Sequence, residues 1–271
     1  MTALPRRYWA ELTSAEFAQL DREKTIALLP VAAIEQHGPH LPVMVDACLL
    51  EGILARALEL LPVEFPLLVL PTQAIGNSKE HACYPGTLTL SPETTMQLWL
   101  DIGASVAAAG LRKLVIFNSH GGQISLLDIV GRELRIRHNL LVVHASWFSF
   151  GYPDDLFEER EIRFGIHGGE IETSMMLHLA PELVQMDKAR DFKSLTEKLR
   201  VRGFQRIGGG GGGKLAWQTQ DLNVEGVCGN AQKADRDRGE ALVNFAAERL
   251  IELLEEVDRL PLTILDNDPA W

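Results

Sequence analysis

Short, nearly continuous apolar runs alternate along this chain with longer stretches whose apolar residues recur at helical spacing. Residues 26–34 form the first run, with charge before it and Glu-Gln-His-Gly after it. That is the pattern of a parallel strand buried on both faces. Residues 67–70, 113–118 and 140–145 repeat it. Between these runs, 46–61, 91–109 and 123–137 read as helices. The second of them opens on Ser91, Pro92 and Glu93: a capping hydroxyl, a proline suited to the first turn and an acid at the positive end of the dipole. Gly110 closes it. Further helices are predicted over 168–179, stopping before Pro181, and over 233–260, stopping before Pro261. Strand and helix in alternation predict an α/β fold with a mostly parallel sheet and helices on both faces.

A chain of 271 residues fits one domain, 1–271, and can bury a full core without disulfides or a structural metal. A metal, if bound, is therefore expected to serve chemistry. The net charge of −11 excludes phosphate-backbone binding as the main activity, because that needs clustered Lys and Arg. Cys48, Cys83 and Cys228 are odd in number and lack metal or redox spacing, which suits a reducing compartment. Cys48 reads as core, and Cys83 lies in a loop rich in candidate site residues. No signal-peptide pattern and no long apolar span is visible, so a cytoplasmic protein without membrane contact is expected.

The polar clusters fall at strand ends, where open α/β sheets bind their ligands. Glu35 and His37 follow the first strand at i and i+2, spaced to face one side. Asp46 starts the next helix, His120 follows the third strand, and His167, Gly168, Gly169 and Glu170 open a later helix. Mixed carboxylates and imidazoles are the ligand chemistry of Zn, with Mn or Fe as alternatives. Two such metals about 3.5–4 Å apart can hold a hydroxide nucleophile and polarise a carbonyl. His138 reads as a dipole partner at a helix end, and His144 and His178 as packing residues.

Four segments resemble the creatininase (creatinine amidohydrolase) family in order and spacing: EQHGPHLP at 35–42 with Asp46 after it; GNSKEH at 76–81 with YPGTL at 84–88; FNSHGG at 117–122; and HGGEIETS at 167–174. The resemblance implies a three-layer α/β/α sandwich, two divalent metals per chain, a small-molecule substrate, and often a homohexamer built as a trimer of dimers. It places Glu35 and His120 on one metal and His37 with a second carboxylate on the other, with Asp46 bridging. His167 matches the family's catalytic histidine. Creatininase itself carries tyrosine and glutamate where this chain has Gly121 and Gly122. The second carboxylate is therefore expected from Glu170, with Glu172 orienting a ligand or His167. Glu170 and Glu172 share one helical turn, and the sequence leaves open which is the ligand. Trp147, Glu80 and His81 are expected at the substrate.

The implied activity is hydrolysis of a C–N bond in a cyclic amide or formamide. A cyclic ketone, a peptide, or a non-catalytic binding role on the same fold are the alternatives. Residues 208–214 match Gly-x-x-x-x-Gly-Lys, but Leu215 stands where a phosphate-binding loop needs Ser or Thr. The six glycines at 208–213 are expected to form a flexible loop instead.

Overall fold

The computed structural model describes residues 4, 6–208 and 212–266. In chain order its elements are α1 (Ser14–Phe17), β1 (Ile26–Val31), α2 (Val45–Leu60), β2 (Leu67–Val69), α3 (Pro92–Ala108), β3 (Lys113–Asn118), α4 (Ile124–His138) and β4 (Leu141–Ser146). They continue with α5 (Glu159–Phe164), α6 (Glu170–Leu179), β5 (Asp191–Phe192), α7 (Leu195–Val201), α8 (Thr219–Leu222), β6 (Gly229–Asn230) and α9 (Arg236–Arg259).

The main sheet is parallel throughout, in the order β2-β1-β3-β4. Ile26 pairs with both Leu67 and Lys113, and Lys113 with Leu141, so the strands start level. β1, β3 and β4 are equally long and therefore also end level, at Val31, Asn118 and Ser146. The loops that carry the polar motifs consequently leave from one edge of the sheet.

Alternate residues of each strand feed two separate cores, because successive side chains point to opposite faces. Ile26, Leu28, Val115 and Phe117 pack with Leu50 and Ile53 of α2, Met175 of α6 and Leu242 and Leu250 of α9. Ala27, Leu29, Leu114 and Ile116 pack with Trp99 of α3 and Val130 and Leu134 of α4. The result is the expected three-layer α/β/α arrangement. Buried Lys113 ties α9 to the sheet: its Nζ donates to the carbonyls of Val257 and Asp258, 2.7 Å each, at the negative end of that helix.

The main elements lie close to their predicted bounds, with physical reasons for the differences. The Ser91 side chain accepts the Thr94 N–H, as a cap should, and Gly110 follows the helix at φ +89°. β1 stops at Val31, and Ile34 instead bridges to Leu88. α9 starts at Arg236 rather than 233 because the Asp235 side chain accepts the Arg238 N–H, 2.9 Å. α6 starts at Glu170 rather than 168 because Gly168 is left-handed, at φ +62°. The pairing of β5 with β6, antiparallel and two residues long, was too short to leave a pattern.

Part of the glycine run, residues 209–211, lies outside the described residues. At its base the Gly208 N–H donates to the Gly213 carbonyl, and the Gly213 N–H to that of Arg206. No strand among the described residues leads into it, as a phosphate-binding loop would require. Among the described residues no helix is long and apolar enough to cross a membrane.

Candidate metal centre

The first loop after β1 is folded by its own backbone: the Glu35 N–H donates to the Val43 carbonyl, and His37 bridges to Leu41. This brings Asp46, in the first turn of α2, back over the strand end. The His37 ring donates from Nδ1 to the Glu35 carbonyl, 3.0 Å, which leaves Nε2 facing inward. His120 is clamped by Asn118, whose amide oxygen accepts the His120 N–H and whose amide nitrogen donates to the His120 carbonyl. Its ring donates from Nε2 to the Asn77 carbonyl, 3.0 Å, so Nδ1 faces inward.

The two inward nitrogens meet three carboxylates. His120 Nδ1 lies 3.2 Å from Glu35 Oε2 and 3.1 Å from Asp46 Oδ2. His37 Nε2 lies 3.5 Å from Asp46 Oδ1 and 3.6 Å from Glu172 Oε2. Asp46 thus turns one oxygen to each histidine. His37, Asp46 and Glu172 converge closely enough to hold one ion. Glu35, Asp46 and His120 converge beside them, and Ser78 Oγ donates to Glu35.

The electrostatics of this cluster call for cations. Burial alone would raise Glu35 and Asp46, but the facing histidines hold both at about 2. Burial opposes charge on His37, yet Asp46, then Glu172 and Glu35, raise it to about 9. His120 is likewise raised, against burial, by Glu35 and Asp46. Burial, with Asp46 and Glu35 nearby, lifts Glu172 to about 7. Buried His37 Nε2 and Asp46 Oδ2 have no hydrogen-bond partner. A buried cluster of carboxylates facing imidazoles that carry protons is what a divalent ion would fit, releasing those protons as it binds. The donor set, imidazole nitrogen and carboxylate oxygen, suits Zn, Mn or Fe.

Glu170 is where the sequence expectation is corrected. Its carboxylate pairs with Arg238, away from the cluster, and its N–H donates to Glu161. Residues two apart on a helix diverge by about 200°, so Glu170 and Glu172 cannot both turn toward His37. It is Glu172 that does, with its Oε2 also accepting the Gly168 N–H, 2.5 Å.

His167 sits beside the cluster, its ring centroid 4.1 Å from that of His37. Its Nε2 donates to the Gln36 carbonyl, 2.8 Å, so Nδ1 is the bare nitrogen, 3.5 Å from Glu35 Oε1. Burial, with His37 and His81 near, pushes its pKa well below the usual imidazole value. The loop carrying it is laced to Cys228 by two backbone hydrogen bonds.

A cavity of about 500 Å³ opens above the cluster. Trp147, Glu80 and His81 are among its lining residues. Trp147 is also buried, donating from Nε1 to Ser119 Oγ. Cys83 is exposed beside Gln220 and lies outside the lining, whereas Cys228 is part of it. Ser78 escaped the sequence reading although it sits inside the second motif. Tyr152 and Trp217, also in the lining, carried no spacing signal at all.

Residues 10–254 match the family model described as creatinine amidohydrolase. The chain is 32% identical to a creatinine amidohydrolase of Pseudomonas putida over 263 residues, 91% of this chain and 95% of that protein. It is 32% identical to a mycofactocin precursor peptide peptidase of Mycobacterium ulcerans over 184 residues, 66% of this chain and 68% of that one. A solved structure of creatininase with Mn superposes with a TM-score of 0.72 at 25% identity, over 94% of this chain and 99% of the other. The chain belongs to the creatininase family of hydrolases.

Proposed function

We propose that this hydrolase uses two divalent metals to cleave a C–N bond of a cyclic amide or formamide. The observation that carries the reading is Asp46, whose two oxygens face His120 and His37 separately. Glu35, Asp46 and His120 would hold one ion, and His37, Asp46 and Glu172 the other. When bound, such a pair lowers the pKa of water and polarises a carbonyl.

The chain's own residues supply the rest. His167 is neutral, anchored through Nε2 and bare at Nδ1. It is therefore set to carry a proton at Nδ1 and deliver it to the leaving nitrogen. Glu172, positioned by the Gly168 N–H, takes the ligand role that sequence reading gave to Glu170. Trp147 and its apolar neighbours limit water around the reacting carbonyl. The reading includes a cytoplasmic homohexamer, as the family resemblance implies; light scattering on the purified protein tests the assembly.

The similarity to a peptide peptidase favours one second reading, in which the scissile C–N bond is a peptide bond. A panel of cyclic amides, formamides and short peptides separates the two by product. The metal centre itself is tested by elemental mass spectrometry. About two ions per chain are expected in the wild type and after Glu170→Ala, with a loss after Glu172→Ala. A wild-type protein that takes up no metal on reconstitution would sink the mechanism.

A further inference from the structure

The cavity over the metal centre has a sharply divided lining. Its floor is acidic and imidazole-rich. Its walls are built by Trp147, Phe148, Tyr152, Ile162, Ile166 and Trp217. Ile162 and Ile166 are 42% and 48% exposed, so large apolar side chains face solvent at this opening. Burial and the nearby Glu172 push the Tyr152 phenol up to about 12, so it stays a neutral donor. Among the described lining residues there is no Lys or Arg, and the carboxylates are Glu35, Asp46, Glu80 and Glu172.

Charge counting sharpens the point. Two divalent ions carry four positive charges, and these four carboxylates carry four negative ones. The loaded centre has no surplus positive charge, and the walls offer none. An anionic group on the substrate, away from the reacting carbonyl, would lose its water and meet apolar surface without a counter-charge. An apolar group would instead cover aromatic and aliphatic surface that otherwise faces water. The volume lies within the range of about 300–1,000 Å³ typical of sites for ligands of moderate size.

We propose that the site accepts an acyl compound bearing an uncharged aromatic or bulky aliphatic group, and that it rejects a carboxylate or phosphate on that group. This rests on the metal-centre reading, and the test separates the two. Hydroxamates chelate metals in hydrolase sites, so the substituent can be varied while the anchor stays constant. Zn-loaded protein of verified metal content would be titrated with acetohydroxamate, benzohydroxamate and 4-carboxybenzohydroxamate by calorimetry. Benzohydroxamate is expected to bind at least about tenfold more tightly than the other two, since even a single buried methylene is worth about tenfold or more. Trp217→Ala is expected to narrow the ratio of benzohydroxamate to acetohydroxamate affinity. Equal affinities, or a preference for the carboxylated probe, would overturn the substrate class and leave the metal centre standing. A protein that takes up no Zn would overturn the metal-centre reading and this inference with it, and binding of none of the three to the loaded protein would overturn this inference alone.

Discussion

Glu80 occupies the space that a side chain on Gly122 would need. A Cβ added at Gly122 would overlap Glu80 Oε1 and lie 2.6 Å from His120 Nε2. Glu80 Oε1 is itself 3.1 Å from His120 Nε2, on the side of the ring turned away from Glu35 and Asp46. The missing side chain thus admits a carboxylate within ion-pair distance of the ring of a proposed ligand. Carboxylates placed in this way behind a metal-binding histidine fix its orientation and raise its basicity. Gly122→Ala should displace Glu80 and weaken metal retention by about 10–100-fold, measured by competition with a chelating dye. Gly121→Ala, whose Cβ would meet nothing within 4 Å, should keep wild-type affinity. Equal affinity in both variants would show that Glu80 does not support His120.

His167 separates a proton carrier from a ligand. Its Nδ1 is 3.5 Å from Glu35 Oε1, close enough for either role. Because Nε2 already donates to Gln36, the bare Nδ1 serves as the proton site in the proposed mechanism. His167→Ala should retain both metals while kcat falls about 10²–10⁴-fold, the usual worth of a positioned acid or base. Metal analysis on the same preparation decides the matter, since a lost ion would make His167 a ligand.

Buried Glu161 staples the loop that delivers His167. One carboxylate oxygen accepts the Glu170 N–H, 2.7 Å, and the other the Asn230 N–H, 2.9 Å. Glu161→Gln keeps the shape but turns an amide NH2 toward one of these donors. A buried donor left unpaired costs about 1–3 kcal/mol, so the melting temperature should fall by several degrees in calorimetry. An unchanged melting temperature would mean that Glu161 is not needed to hold the loop.

The same residues show what sequence could and could not tell. The strands were legible because burial on both faces leaves short, nearly continuous apolar runs, and the helices α2, α3 and α4 because one-sided burial leaves apolar residues at helical spacing. Glu35, His37 and His120, after strand ends, and Asp46, at the start of α2, were legible as candidates because they sit in short motifs. The choice between Glu170 and Glu172 was not, because it depends on where α6 begins, and Gly168's left-handed turn moves that start to Glu170. Glu161 could not be found from sequence either. Its partners are backbone N–H groups of Glu170 and Asn230, nine and 69 residues away, and backbone partners leave no side-chain signature. The walls contributed by Tyr152 and Trp217 are tertiary in the same sense.

His40 supplies a pH-dependent contribution to stability outside the proposed ligand set. It is fully buried, its Nε2 is 2.9 Å from Thr173 Oγ1, and its ring stacks on Phe192. Burial, and then the charge of nearby His37, push its pKa down from 6.5 to about 4. The folded state therefore keeps His40 neutral while the unfolded chain binds a proton below about 6.5. Between those values the unfolded state holds more protons, so stability rises with pH and is lost as pH falls from about 6.5 toward 4. The slope from this one residue is at most about 1.4 kcal/mol per pH unit. His40→Gln should be less stable at pH 7, having lost a packed ring, but should show a flatter decline between pH 6.5 and 4. Comparing the two proteins in urea unfolding at matched pH and metal content isolates the residue, because acid effects on the metal centre are common to both. Parallel declines would mean that His40 is not the group that titrates.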